Sequence, residues 1–351
     1  MQLRLDQLSS HLSRGCRALY VVHGDEPLLQ QEAADAIRAA ARQQGCAERD
    51  VFTVSGAHFD WSSVWGAAQS MGLFATGRLI EIRIPQGRPG KEGAQMLERY
   101  AQALPDSVVT LISLPRLDNT ALKSSWFEAL QSAGVSLRLD PVDRANLPAW
   151  IAQRLAQHGL RVRDGDEGRQ ALAFFAQRVE GNLLAAHQEV LKLSLLHPPG
   201  ELSLEDIQTA VLDVARFDAR QWLEALWVGD VRRCLRILAG LQSEGESAVA
   251  LHWVLSEDLR CAHQVRCAVD AGKPMPLALS QARVWGPRQR AMEQAALRCS
   301  ARQLAQLLRA ARQCDGVIKG LGRTDWPAEP FDALQRLVMS LLQITRRVPA
   351  Q

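Results

Sequence analysis

The sequence predicts an α/β parallel-sheet domain over residues 1–140, a small all-α domain over 141–215 and a larger all-α domain over 216–351. Three observations predict this. The first 140 residues alternate between short apolar runs and helical periodicity, the pattern of a parallel sheet with helices on both faces. The period changes near Asp140-Pro141, and apolar residues then recur at helical spacing. Breaks at His197-Pro198-Pro199-Gly200, Lys273-Pro274-Met275-Pro276 and Trp326-Pro327 divide the helical part.

Taken in order, strands are expected at Ala18–His23, Val51–Val54, Arg78–Ile84, Ser107–Ser113 and Val135–Leu139. Between them fall helices at Pro27–Gln44, Trp61–Met71, Glu92–Leu104 and Asn119–Ser132. Pro27 suits a first helical turn, and Asp60 and Asn119 are suited to cap their helices. The run Gln86 to Gly93 reads as a loop. Helices follow at Asp143–His158, Asp166–Val179, Asn182–Leu196 and Ser203–Val214, the last opened by a capping box of Ser203 with Asp206. The last segment is expected to hold helices near 217–228, 230–243, 246–271, 287–299, 301–320 and 331–346. No repeat of the length that marks a solenoid is present.

Composition narrows the function classes. No apolar stretch approaches the roughly 18–20 residues of a membrane span. The start Met1-Gln2-Leu3-Arg4-Leu5-Asp6 has no basic region followed by an apolar core, so a cytoplasmic protein is expected. Seven cysteines (Cys16, Cys46, Cys234, Cys261, Cys267, Cys299, Cys314) form no CxxC pair, against a disulfide framework or a zinc ribbon. The net charge of +3 hides an asymmetry. Residues 1–140 carry 14 basic and 15 acidic side chains, 141–215 carry 7 and 10, and 216–351 carry 20 and 13. The basic last third suits a nucleic-acid or acidic partner, and equally a solvated helical face rich in Arg.

A first strand ending in His23-Gly24 invites comparison with a phosphate-binding loop. The pattern G-x-x-x-x-G-K-[ST] would run from Gly24 to Gln31, but Leu29 stands at its second glycine, Gln30 at its lysine and Gln31 at its hydroxyl. The strand over 107–113 ends in Ser113-Leu114, without the acidic pair that would hold a metal. Gly87-Arg88-Pro89-Gly90-Lys91-Glu92 has the wrong spacing and follows the wrong strand. Cys261 and His263 point about 200° apart on one helix, and the histidines show no metal spacing. No G-x-S-x-G elbow occurs. Asp164-Gly165-Asp166-Glu167 reads as a turn and helix start. No catalytic site, metal or cofactor is expected.

Met71-Gly72-Leu73-Phe74-Ala75-Thr76-Gly77 places a Leu-Phe pair between glycines, where a helix gives way to a strand. The pair continues the period of neither neighbour. Two readings stand: a buried plug, or an outward-facing contact of the kind exposed apolar pairs mark.

Four segments resemble one family, the delta subunit of the bacterial DNA polymerase III clamp loader. Tyr20 to Glu32 is similar to its first strand and degenerate nucleotide loop, G-[DN]-[DE]-P-x-L-x-x-E. Ser70 to Ala75 resembles its clamp-binding element. Val179-Glu180-Gly181-Asn182-Leu183-Leu184-Ala185 with Glu189, Lys192 and Leu193 resembles its middle-domain signature. Arg283-Val284-Trp285 with Arg288 and Arg290 resembles a segment of its third domain.

The resemblance implies an AAA+-like α/β domain with a degenerate nucleotide site (Gly24, Leu29, Gln30, Gln31 binding no nucleotide), a helical lid and a helical collar. It implies a subunit that does not hydrolyse ATP and that binds and opens the beta sliding clamp for loading on primed DNA. Its partners would be that clamp, the gamma/tau and delta-prime loader subunits and primed DNA, with no membrane. Leu73 and Phe74, flanked by Met71, would enter an apolar pocket on the clamp. Arg283, Arg288, Arg290, Lys319 and Arg323 are basic candidates for facing DNA, named on charge alone. Alternatives are a divergent ATPase and a free-standing DNA-binding protein. The paralogous delta-prime subunit would carry a four-cysteine zinc module and a Ser-Arg-Cys motif, and neither is in this sequence.

Overall fold

A computed structural model of the chain describes residues 1–56, 58–69, 77–105, 107–211, 215, 217–321 and 325–346. The chain divides into two compact units, Met1–Leu212 and Asp213–Gln351.

The first unit begins with β1 (Gln2–Leu3) and α1 (Leu5–Leu12), then β2 (Leu19–Gly24), α2 (Pro27–Gln43), β3 (Cys46–Thr53), α3 (Trp61–Gln69) and β4 (Gly77–Arg83). It continues through α4 (Gly90–Gln102), β5 (Val108–Pro115), α5 (Asn119–Leu122), α6 (Ser125–Ala133) and β6 (Val135–Leu139). Strands order as β1-β6-β2-β5-β4-β3, all parallel. Consecutive β4 and β5 pair, while β2 sits between β5 and β6, so its carboxyl end opens at the middle of the sheet.

The central strands are apolar on both faces because helices cover both. On one face Ile80, Ile82, Ile84 and Ile112 pack with Leu97, Tyr100 and Phe127 of α4 and α6. The Tyr100 hydroxyl lies 2.6 Å from Thr110 Oγ1, so the buried phenol keeps a partner. Gly93 lets α4 approach α3: a Cβ there would stand 2.4 Å from the Trp61 ring.

The rest of this unit holds α7 (Leu147–Gln157), β7 (Leu160–Val162), α8 (Asp166–Val179), α9 (Leu183–Leu196), β8 (Gly200–Leu202) and α10 (Leu204–Ala210). The second unit is helical: α11 (Ala219–Val228), α12 (Val231–Ser243), α13 (Ala248–Asp270), α14 (Met275–Gln281), α15 (Pro287–Arg298), α16 (Ala301–Ile318) and α17 (Pro330–Arg346). Its core gathers Trp222, Trp227, Leu251, Leu255, Leu307 and Leu341. With Trp61 and Trp126 of the first unit, four of the nine tryptophans are core volume.

Several elements depart from their sequence-based positions. β1 and α1 precede the first expected strand, with β1 zipped onto β6 through two residues. The helix expected over Asn119–Ser132 is split at Lys123-Ser124, where the Ser124 hydroxyl donates 2.6 Å to Ala121 O. Its cap is Asp118, not Asn119: Asp118 Oδ1 accepts from Ala121 N at 2.7 Å. The helix expected from Asp143 starts at Leu147, because Pro148 fits only a first turn. Helix α4 starts at Gly90, inside the run expected to be a loop. Within the segment expected to be helical throughout, β7 and β8 pair in parallel over three residues each. The Pro-Met-Pro break is the first turn of α14. The Ser203–Asp206 capping box forms as expected.

Candidate functional site

The turn after β2 is built around Gly24, whose φ of +152° and missing side chain let β6 approach. A Cβ at Gly24 would lie 1.9 Å from Leu139 O. The amides of Asp25 and Glu26 both donate to that oxygen, at 3.1 and 3.3 Å. In a phosphate loop such amides converge on the ligand instead; here they are spent on the neighbouring strand.

Helix α2 follows, with Glu26 as N-cap accepting from Leu28 N at 3.4 Å and Pro27 in the first turn. Burial pushes the Glu26 carboxyl above the usual carboxylate range. Leu29 is buried, and Gln31 is exposed on the helix surface. Gln30 turns back: its Nε2 donates to Gly24 O at 2.7 Å and, more weakly, to Leu114 O at 3.5 Å. The residue at the lysine position therefore ties β2 to β5. His23, buried edge-on against Phe127, is pushed below the ordinary histidine range by burial and so adds no cation at neutral pH.

The Leu-Phe segment connects α3 to β4. Met71, Leu73 and Phe74 lie outside the described residues, as does Arg323. Both flanks of the connection are described, and Arg78 joins them. Its guanidinium donates to Ala67 O near the end of α3 at 3.2 Å and pairs with Asp50 at 3.1 Å and with Glu48. The last turn of α3, the start of β4 and strand β3 are thus fixed through one side chain. The first residue of β4, Gly77, packs so closely that a Cβ would meet Cys46 Sγ at 3.1 Å and Ser107 O at 3.2 Å.

The basic candidates of the second unit have separate circumstances. Arg283 is exposed with φ +55°, and Arg290 is exposed in the first turn of α15. Arg288 pairs with Asp258, which is 3% exposed and also accepts from Trp227 Nε1 at 2.9 Å. Lys319 donates to Asp315 at 2.7 Å at the end of α16. Arg288 is therefore structural as well as basic, because a buried carboxylate without its cation is costly.

Two clusters resemble catalytic sites without the right geometry. His252 lies 3.3 Å from Ser256 Oγ and 3.8 Å from Asp315, but its Nε2 donates to Ala311 O at 2.8 Å. A ring nitrogen acting as donor cannot take a serine proton, so the group bridges α13 to α16. Cys267 Sγ lies 3.7 Å from the His263 ring one turn away on the surface of α13, a pair the spacing of Cys261 and His263 did not suggest. Among the described residues, no group of three or more His, Cys, Asp or Glu side chains is placed to hold a metal, and no helix is long and apolar enough to cross a membrane.

Sequence reading missed Glu81. It is buried in the middle of β4 and receives hydrogen bonds from Arg38, Arg49 and Arg83. Burial pushes its carboxyl up, but the three arginines outweigh it and hold the group at about 2. A carboxylate flanked by Ile80 and Ile82 in an otherwise apolar run was the available signal.

A six-stranded parallel sheet with helices on both faces, the turn after β2 closed by its own side chain and backbone, followed by helical segments, defines an α/β protein with all-helical extensions. Comparison with known proteins agrees. The family model described as DNA polymerase III, delta subunit, matches residues 20–139. The DNA polymerase III subunit delta of Escherichia coli (strain K12) is 31% identical over 327 residues, 93% of each chain. That of Haemophilus influenzae is 29% identical over 257 residues, 72% of this chain and 73% of the relative. Among solved structures, the Bacillus subtilis DNA clamp loader delta protein superposes with a TM-score of 0.53 at 18% identity, covering 97% of this chain and 99% of that one. The chain belongs to the family of DNA polymerase III delta subunits.

Proposed function

We propose that this subunit binds the beta sliding clamp, favours its open ring and delivers it to primed DNA, in the cytoplasm and alongside gamma/tau and delta-prime subunits that hydrolyse the ATP. The observation that carries this reading is the turn after β2. Gln30 Nε2 donates to Gly24 O, and the amides of Asp25 and Glu26 are committed to Leu139 O. An ATPase-like domain whose turn amides are already committed to its own backbone fits a mechanical rather than a hydrolytic role. The three segments 1–140, 141–215 and 216–351 divide the work as clamp-contacting domain, lid and oligomerising collar.

In this reading Leu73 and Phe74 supply the contact, with Met71 packed beside them. Full burial of the pair would give a gross ~3–6 kcal/mol, at roughly 1.5–3 for each side chain, enough for a hot spot. Arg78 supports the reading by fixing both flanks of the segment, which lowers the ordering cost of binding. Arg283 and Arg290, exposed on the basic second unit, are the better placed of the DNA-facing candidates.

The test is a pull-down with the cognate clamp. The Leu73→Ala/Phe74→Ala variant should lose the clamp and still assemble with the other loader subunits. Clamp binding equal to that of the parent would remove these residues from the contact.

A further inference from the structure

The surface around Glu81 has no part in the clamp reading. In the register of the sheet, Val51 stands beside Glu81, Arg49 beside Leu79 and Thr53 beside Arg83, all on one face. Arg49 places Nε and Nη2 on Glu81 Oε2, at 3.0 and 2.6 Å, and Arg83 meets Oε1 at 2.8 Å. Arg38 donates to both oxygens and gives its third nitrogen to Asp35. Glu81 is 1% exposed, while Arg49 and Arg83 remain 43% and 45% exposed. The buried carboxylate thus holds two half-exposed guanidiniums side by side, with positive charge in excess.

Two further facts distinguish this surface from a chance ion-pair cluster. Val51 is 44% exposed on the same face, uncovered although apolar. Strand β3 ends the sheet order, so among the described residues its outer backbone edge has no strand beside it. The acidic residues of β3, Glu48 and Asp50, are tied to Arg78 on the opposite face. Charge on the edge strand is therefore sorted by face.

We propose that this edge is a docking site for an extended acidic segment of a partner protein, which adds as a strand along β3. A strand sends every second side chain to one face, so a segment with an acidic and an apolar residue two positions apart would set a carboxylate beside Arg49 and an apolar group beside Val51 on that face. Guanidiniums already fixed by Glu81 lose little freedom on meeting a carboxylate. A nucleic-acid backbone would use the arginines, but neither the free backbone edge nor Val51. The preference for peptide rests on those two features.

The full chain is titrated at low salt with a short labelled peptide carrying Asp, Val and Asp at every second position, with Thr between them. Controls are the same peptide with Lys for Asp, and an oligothymidylate. The proposal expects saturable binding of the acidic peptide alone and slowed amide exchange over residues 47–53. It also expects affinity to drop roughly tenfold or more in Arg49→Gln/Arg83→Gln. Val51→Asp, which leaves every partner of Glu81 in place, should weaken binding by repulsion and keeps the test valid if the double variant misfolds. Absence of peptide binding, equal binding by Val51→Asp, unchanged β3 exchange, or oligothymidylate binding lost in the same variants would each overturn it.

Discussion

Gln30 Nε2 donates to the carbonyl of Gly24 at 2.7 Å, closing the turn between β2 and α2 from within. A lysine at that helical position would reach for phosphate; the shorter neutral amide reaches back to its own strand. The turn has become a structural joint.

Restoring the three missing motif residues should therefore not restore nucleotide binding. In Leu29→Gly/Gln30→Lys/Gln31→Thr the amides of Asp25 and Glu26 still face Leu139 O. Calorimetry with Mg-ATP is expected to show no binding at micromolar nucleotide. Micromolar affinity in this variant would contradict the closed turn. Gln30→Ala should cost about 1 kcal/mol of stability, the net worth of one hydrogen bond.

Glu81 gives the fold an acid-sensitive point. Its carboxyl lies at about 2 in the folded chain against an ordinary 4.5, so the folded state favours the ionised form. That stabilisation is fully present above pH 4.5 and is lost as pH falls through the folded value. A depression of this size corresponds to about 3 kcal/mol. Urea denaturation from neutral pH downward should show Glu81→Gln destabilised by about that amount at pH 7, with the difference shrinking below pH 4.5. A constant difference across that window would assign the loss to packing instead.

Arg78 offers a test of how the Leu-Phe segment is presented. Arg78→Ala removes the bonds to Ala67, Asp50 and Glu48 without touching Leu73 or Phe74. Clamp affinity measured by surface plasmon resonance should fall several-fold, on the order of 1 kcal/mol of added ordering cost. Unaltered affinity would mean that the flanks do not govern presentation.

The pair of Arg288 and Asp258 separates a structural arginine from the exposed arginines proposed to face DNA. Arg288→Ala leaves a buried carboxylate uncompensated and should lower the stability of the helical unit by about 3 kcal/mol. Arg290→Ala, on an exposed site, should be neutral within about 0.5 kcal/mol. Loader binding to primed DNA compared between the two, beside their melting curves, shows which loss is electrostatic.

Much of the first unit was legible because its signals are local. Alternating apolar runs marked β2, β4, β5 and β6, and Pro27 and Ser203 marked helix starts. The misses arose where a distant partner decides. Gln2 and Leu3 are a strand because β6 offers them a free edge. Leu160–Val162 and Gly200–Leu202 are too short to show a period and exist only by pairing with each other. Of the turn after β2, the departures from a phosphate-loop pattern are visible in the sequence, whereas the destination of its amides is not.

The sequence by itself determined the order of elements, the missing phosphate-loop residues and the motifs that mark the family, since each depends on neighbours within a few residues. Only the tertiary structure decided that Leu139 takes the amides of the turn, that Arg78 joins α3 to β3 and β4, and that Glu81 gathers arginines 43 and 32 residues away. Those partners meet through strand order and register, which place distant side chains on one face of the sheet. A charge in the middle of an apolar strand becomes stable only once such a register brings the opposite charges to it.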